Sequence, residues 1–529
     1  MDKQLLSKGG NCPGDIKNSK EQEVNPTRRL VGFVLAVVFA VIIYILIPAE
    51  SLDEKGGLVG GLSHSGRAVA AVAVLMATLW VTEALPLAVT ALLPIVLFPV
   101  CTAGQVSVKA AAAPYGHQVI YMYMGGFIIA MAMQKWGLHR RIALHAVLLI
   151  GTQPASIVAG FMVASTFLSM WVSNTATTVM MLPIAISVVE LVRKEMRQGG
   201  ETNLHPEGRP FNFPVCLMLG IAYAASIGGV ATLIGTGTNA LAAAFLKENY
   251  QIEISFVKWM MLALPLVVTF LPITWLLLTK VIFPIHIKRI PCGRELIHKE
   301  LKDQGPIHRG ELMVLAVFAA TALMWMTRPL LVKLQLPGGL RPLAGLNDSS
   351  ISIGAAVVLF CLPVDFKKGV FVMTWKQARK LPWAILILFG GGLSLAAAMK
   401  STGVTDFVGQ LVSSFENIPL AVMILILVTT VIFATELSSN TATIAALGPI
   451  FAAVAVGFGV SPALFVVPTT MAASFAFMMP VATPPNAIVF ASGEITIPQM
   501  CKAGFWLNIV GIGLVMLLTY FVIIPAMRI

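Results

Sequence analysis

Ser173-Asn174-Thr175-Ala176 lies inside an apolar stretch and returns as Ser439-Asn440-Thr441-Ala442, 266 residues later. Gly125-Gly126 and Gly391-Gly392 share that spacing, each opening a stretch that closes on Ala132-Met133 or Ala398-Met399. Two landmarks at one offset indicate a duplicated half. Polar interruptions at matching places in two apolar halves are the sequence mark of a transporter's binding site.

Of the 529 residues, 57% are hydrophobic and 11% charged. Soluble domains carry roughly 25% charge. Apolar runs of about 20 residues, enough to cross a bilayer, recur along almost the whole chain. The composition therefore predicts an all-α polytopic membrane protein. Net charge is +12, gathered in residues 1–29, 288–309 and 367–380. Positive loops stay cytoplasmic, which places the N-terminus and both basic loops inside. These clusters flank apolar segments and lack interleaved aromatics, so no nucleic-acid partner is expected. The six cysteines form no Cys-x-x-Cys pair, and neither a disulfide framework nor a zinc site is indicated. No phosphate-binding Walker loop or His-Glu-x-x-His is present, so ATP drive and metalloprotease chemistry have no support; no enzyme activity is expected.

Candidate spans fall at 30–48, 68–85, 87–100, 119–135, 214–246, 259–283, 312–326, 352–363, 381–400, 462–490 and 505–524. Two further segments, 142–192 and 407–456, are too long for one crossing and are split by Ser173–Thr175 and Ser439–Thr441. Each reads as a re-entrant helical hairpin. About 11 transmembrane helices plus two hairpins put the N-terminus inside and the C-terminus outside, with the hairpins entering from opposite faces. An odd number of spans separates the halves, so the repeat is inverted. The resulting division is a cytoplasmic segment 1–29, scaffold 30–141, transport part 142–286, cytoplasmic linker 287–311, scaffold 312–404 and transport part 405–529.

Downstream of the hairpins, Ala224-Ala225-Ser226 matches Ala472-Ala473-Ser474, and Thr236-Gly237-Thr238-Asn239-Ala240 matches Thr483-Pro484-Pro485-Asn486-Ala487. The offset is now 247–248, so the first half carries about 19 extra residues, assigned to the polar stretch 193–213. Glycines and prolines within both motifs weaken a continuous helix. Unwound backbone at membrane depth survives only where buried or lining a cavity, so both are broken helices.

Four polar corners would then meet near the midplane. Helix N-terminal ends attract anions, and unwound carbonyls suit a small cation. Asn174 and Asn440 both donate and accept; Thr175, Thr236, Thr441 and Thr483 add hydroxyls. No lysine or arginine occurs in the four motifs. Bound cations would supply the missing positive charge, so that anion and cation favour each other's binding. That reciprocity predicts symport driven by sodium. Small polar residues also serve helix packing, but packing has no need for matched register. Glu83 precedes a proline break and reads as a helix end. Glu436 reads either as a buried functional acid or as a group facing water at the hairpin mouth. Met180-Met181 and Met478-Met479 read as packing, His139-Arg140-Arg141 as an interfacial cluster, and the Asn347-Asp348-Ser349 sequon as a chance match.

Trp80 to Pro86, Trp171 to Thr178, Ala224 to Gly229 and Ser474 to Phe490 together resemble the divalent anion:sodium symporter family of di- and tricarboxylate and sulfate carriers. The resemblance runs from about residue 30 to the end. It implies a homodimer with a fixed scaffold and a transport domain moving like an elevator; the plasma membrane is the expected location. It implies one sodium site from Ser169, Ser173, Asn174 and Gly235, and another from Thr435, Ser438, Asn440 and Ala482. Substrate carboxylates would meet Asn174-Thr175 and Asn440-Thr441, helped by Thr236 and Thr483. Carboxylate carriers commonly have proline where Thr238 stands, and sulfate carriers look more like this chain there, whereas both hairpin threonines follow the carboxylate pattern that sulfate carriers tend to alter. Sodium-coupled uptake of C4-dicarboxylates (succinate, malate, fumarate) is the favoured reading, with citrate or 2-oxoglutarate as further substrates. Sodium-sulfate symport, sodium-independent dicarboxylate exchange, and a channel or non-transporting receptor are the alternatives.

Overall fold

Apolar segments without access to water must pair their own backbone groups, and an α-helix does so within one segment. The computed structural model describes residues 26–52, 58–59, 61–151, 153–198, 211–286, 298–299, 301–335, 341, 343–413 and 418–527. The basic stretch 1–25, the core of the predicted insertion (199–210), the first part of the linker (287–297), and with them Cys12 and Cys292, lie outside these residues. The first half comprises α1 (Pro26–Leu46), α2 (His64–Thr82), α3 (Leu87–Thr90), α4 (Leu93–Cys101), α5 (Val108–Ala112), α6 (Gln118–Trp136), α7 (Leu138–Ile150), α8 (Pro154–Ser169), α9 (Asn174–Gln198), α10 (Phe213–Gly229), α11 (Gly237–Tyr250) and α12 (Phe256–Leu276). The second comprises α13 (Arg309–Leu331), α14 (Asp348–Cys361), α15 (Trp375–Ala378), α16 (Trp383–Ser401), α17 (Val404–Ser413), α18 (Leu420–Thr435), α19 (Asn440–Gly457), α20 (Ala463–Ala472), α21 (Pro484–Phe490) and α22 (Ile497–Leu518). Strands are confined to two short antiparallel loop ribbons, Ser51–Leu52 with Leu58–Val59 and Pro363–Asp365 with Val370–Phe371.

Among the described residues, eight helices are long and apolar enough to cross a membrane. Two of the eight are α9 and α19, the second arms of the predicted hairpins, since length and composition alone do not separate a crossing helix from a hairpin arm. The expected spans 214–246 and 462–490 are each two helices around an unwound middle, so neither is a continuous span.

The hairpin boundaries also need correcting. Residues 142–150 and 407–413 belong not to the hairpins but to separate short helices, α7 and α17. Each follows a glycine in the left-handed region, Gly137 at φ 74° and Gly403 at φ 76°, again 266 residues apart. The hairpin arms proper are α8 with α9 and α18 with α19. Part of the predicted insertion is helix: α9 runs to 25 residues against 18 in α19.

The first segments of the two broken helices lie wholly in the interior. All residues of α10 and of α20 are buried. Glycine pairs bring the halves together reciprocally. A side chain at Gly125 of α6 would strike Ser352 of α14, and one at Gly391 of α16 would strike the backbone of Ala91 beside α3. Each half therefore seats its glycine against a helix of the other half. The sequon residues also have structural work: Asn347 accepts from Ser350 N at 2.8 Å in a capping box at the start of α14, and Ser349 Oγ donates to Gln118 O at 2.7 Å. Glu83 ends α2 as an exposed residue at φ 52°, in line with its reading as a helix end. Arg141 of the basic cluster pairs with Glu311 at 2.8 Å.

The two glycine classes predict different costs. Nothing lies within 4 Å of a Cβ built at Gly137 or Gly403, so alanine there costs only the left-handed strain, about 1 kcal/mol. Gly125→Ala and Gly391→Ala meet backbone and must displace a helix. Thermal melts of the purified protein should show small, similar drops for the first pair and markedly larger drops for the second.

Candidate functional site

The first hairpin turns through residues 170–173, and Ser173 Oγ caps the start of α9 by accepting from Ala176 N at 3.3 Å. Within that corner Ser169 Oγ donates to Asn174 Oδ1 at 2.5 Å, so two of the predicted cation-site residues are already joined. Gly229, where α10 ends, leaves room for this asparagine, because a Cβ there would collide with Asn174 Oδ1 and Thr236 Cγ2. Gly235 is seated against the Gly229 carbonyl, and its N–H donates to Thr232 Oγ1 at 3.0 Å. Ser169, Asn174, Gly235 and Thr236 thus meet around one glycine. Ser173 faces its own helix, and Thr175 is exposed.

In the second hairpin Ser438 Oγ contacts Thr443 Oγ1 at 2.7 Å and donates to Ala434 O at 3.1 Å, while Thr435 Oγ1 donates to Ile432 O at 3.0 Å. Asn440 Oδ1 is buried without a hydrogen-bond partner. Ala482 N donates to Met479 O at 3.2 Å, which turns the unwound segment before α21. Thr483 caps α21, accepting from Asn486 N at 3.4 Å. The turns also differ in cover: Trp171 stacks on Phe256, which stacks on Trp325 of α13, whereas Leu437 is exposed.

What holds the breaks open was only half visible in the sequence. Asn239 Nδ2 donates to Gly229 O at 3.0 Å, Val230 O at 3.3 Å and Thr232 O at 2.7 Å. Asn486 Nδ2 donates to Ala476 O at 3.0 Å and Met479 O at 3.1 Å. The acceptors lie 10 and 7 residues before the asparagine in both halves. The repeat therefore extends to individual hydrogen bonds. Sequence reasoning placed both asparagines in the motifs but gave them no role; a donor among freed carbonyls was the available signal.

Glu436 is buried and does not face water. Oε1 accepts from Phe477 N at 2.8 Å, Met478 N at 2.9 Å and Asn508 Nδ2 at 2.8 Å; Oε2 accepts from Met478 N at 3.0 Å and Met479 N at 3.1 Å. The Met478-Met479 pair, read from the sequence as packing, lies in the unwound segment and supplies these N–H groups.

The halves interlock through the second arm of each hairpin: α9 packs on α21, and α19 on α11. At the latter crossing Thr238 Oγ1 lies 3.4 Å from Thr441 Oγ1. Neither α11 nor α19 has a side-chain cap, so the first N–H groups of both remain available. Pro484 and Pro485 begin α21 and offer no N–H there. Thr236 Oγ1, beside the start of α11, is buried and unpartnered. Among the described residues no group of three or more His, Cys, Asp or Glu side chains could hold a metal ion.

A helical, multi-span chain with unwound polar corners at its centre defines a membrane transporter. Residues 27–525 match the family model described as the sodium:sulfate symporter transmembrane region, and the chain belongs to that family. It is 37% identical over 516 residues to a "Sodium-dependent dicarboxylate transporter SdcS" of Staphylococcus saprophyticus, covering 97% of this chain and 95% of that protein. The same description and identity hold for a Staphylococcus aureus relative over 511 residues, 96% of this chain and 94% of the relative. The fold also resembles that of Neisseria gonorrhoeae MtrF, titled as illuminating a class of antimetabolite efflux pumps (TM-score 0.55, 14% identity, 93% of this chain and 94% of that one). It resembles the Alcanivorax borkumensis YdaH transporter as well (TM-score 0.53, 13% identity, 94% of this chain and 98% of that one).

Asn239→Ala and Asn486→Ala should each destabilise the protein by about 2–3 kcal/mol, because two or three buried carbonyls lose their donor. Aspartate should not rescue either position, since an ionised carboxylate cannot donate. Melting curves for the four variants check this; wild-type stability in Asn239→Asp would contradict the assigned role.

Proposed function

We propose that the protein couples inward sodium movement to uptake of C4-dicarboxylates such as succinate. The uncapped starts of α11 and α19, meeting at Thr238 and Thr441 beside unpartnered Thr236 Oγ1 and Asn440 Oδ1, are the observation that carries this reading. Helix N-termini attract carboxylates, yet no cationic side chain stands in the motifs. Sodium held by Ser169, Ser173, Asn174 and Gly235, and by Thr435, Ser438, Asn440 and Ala482, supplies the charge. Asn174-Thr175, Asn440-Thr441, Thr236 and Thr483 contact the substrate. The description of the staphylococcal relatives as sodium-dependent dicarboxylate transporters supports both cargo and coupling.

In this reading about 11 helices cross the plasma membrane, the hairpins are re-entrant from opposite faces, and the repeat is inverted. The N-terminus is cytoplasmic and the C-terminus outside. Two copies associate through their scaffolds, and the transport parts (142–286 and 405–529) move like elevators, hinged where Gly137 and Gly403 precede α7 and α17. Each charge moved with the membrane potential contributes about 2.3 kcal/mol per 100 mV, so sodium in excess of the substrate's charge drives accumulation. Sulfate is the second reading, favoured by Thr238 in place of a proline and by the description of the matching family.

Labelled succinate should enter proteoliposomes only under an inward sodium gradient, and excess sulfate should compete weakly. Uptake that needs internal dicarboxylate and ignores sodium would make the protein an exchanger; preference for sulfate would change the cargo. Asn174→Ala and Asn440→Ala should each reduce sodium-driven uptake by at least roughly tenfold, the loss of one charge-assisted contact. Near-normal uptake in both would place the site elsewhere.

A further inference from the structure

Each half ties its hairpin turn to its own broken helix at the same two positions, but with opposite chemistry. In the first half the turn position is Met170, whose backbone carbonyl accepts from Thr232 Oγ1 at 2.5 Å. The repeat offsets of 266 and 247 carry these positions to Glu436 and Met479. There the turn residue uses its side chain, and the broken segment answers with backbone: the Glu436 carboxylate receives the N–H groups of Phe477, Met478 and Met479. The second tie therefore does what the first does and also carries a carboxylate.

Among the described residues all of its donors are amide N–H groups, three of them backbone and one the Asn508 side chain. Such a set suits an ionised carboxylate. Among the described residues no lysine or arginine pairs with it. Amide dipoles solvate the charge but leave it net negative. The group is 4% exposed, so water screens it little. Glu436 directly follows Thr435 and precedes Ser438 by two residues, and the segment it grips leads through Met479 to Ala482. Thr435, Ser438 and Ala482 belong to the second proposed sodium site. The first site has a neutral tie in the same place.

We propose that Glu436 is a positioning residue that makes the two cation sites unequal: it fixes the second broken segment and lends the second site a negative charge that the first lacks, so the second fills at lower sodium concentration. Both oxygens are already engaged by N–H donors, so the carboxylate acts across the turn and not as a ligand. This inference rests on the sodium-coupled reading above.

The test is the sodium dependence of thermal stability in the purified full-length protein without substrate, titrating sodium chloride against choline chloride at constant ionic strength. Glu436→Gln should raise the half-saturating sodium concentration roughly tenfold or more, the loss of one nearby charge at low screening. Asn508→Ala, which removes a hydrogen bond but no charge, should lower the melting temperature and keep sodium half-saturation within about twofold of wild type. Glu436→Asp keeps the charge while losing reach to some N–H groups, and should behave like Asn508→Ala; this comparison decides the matter if the glutamine variant does not fold. Unchanged half-saturation in Glu436→Gln, or a shift in Glu436→Asp that merely follows its loss of stability, overturns the proposal. Absence of any sodium response in the wild type would instead defeat the symport reading.

Discussion

A backbone amide or carbonyl removed from water must find a partner, and each one left without costs several kcal/mol in hydrocarbon surroundings. The centre of this protein is arranged around that constraint. Two helices are broken at its middle, and Asn239 and Asn486 close the freed carbonyls with the same pattern of donors in each half. Further partners are added from outside the break: Trp259 Nε1 donates to Val230 O at 2.9 Å, and Tyr223 Oη to Phe477 O at 2.8 Å. These partners hold the shape of the unwound backbone, and the buried side-chain atoms left without a partner include two at the corners.

Those two atoms bear on the proposed use of neutral residues. Thr236 Oγ1 and Asn440 Oδ1 are buried oxygens without partners, next to helix starts whose N–H groups lack caps. In the proposed reading, oxygens and N–H groups on one small surface accommodate a cation and an anion together and neither as well alone. Lysine or arginine there would bind an anion without sodium and remove the reason for coupling. The absence of basic residues from the four motifs is thus as informative as the polar residues present.

Much of this was legible in the sequence. The recurrence of Ser-Asn-Thr-Ala at 266 residues led to both turns, and the glycine and proline motifs marked both breaks. Both asparagines were in view within those motifs, but a role as staple depends on which carbonyls the unwound chain turns inward, and a linear pattern does not encode that. Hairpin limits were drawn too wide because α7 and α17 are apolar on one face and continue the hydrophobic run; Gly151 at φ 125° and Pro154 part α7 from α8, and Pro419 precedes α18. Glu436 stood even between a buried and a water-facing reading, since spacing to Ser439 says nothing about the backbone that arrives 41 residues later at Phe477. Thr238 was read as a departure from a pattern, and its place opposite Thr441 emerges only when α11 crosses α19.

The decisive link is mutual dependence of anion and cation at corners that carry no fixed positive charge. Succinate affinity measured at equilibrium, on purified protein across a range of sodium concentrations at constant ionic strength, tests it directly. Affinity that rises with sodium, with sodium affinity rising equally when succinate is present, is the result predicted here. Succinate binding of the same strength with and without sodium would contradict it.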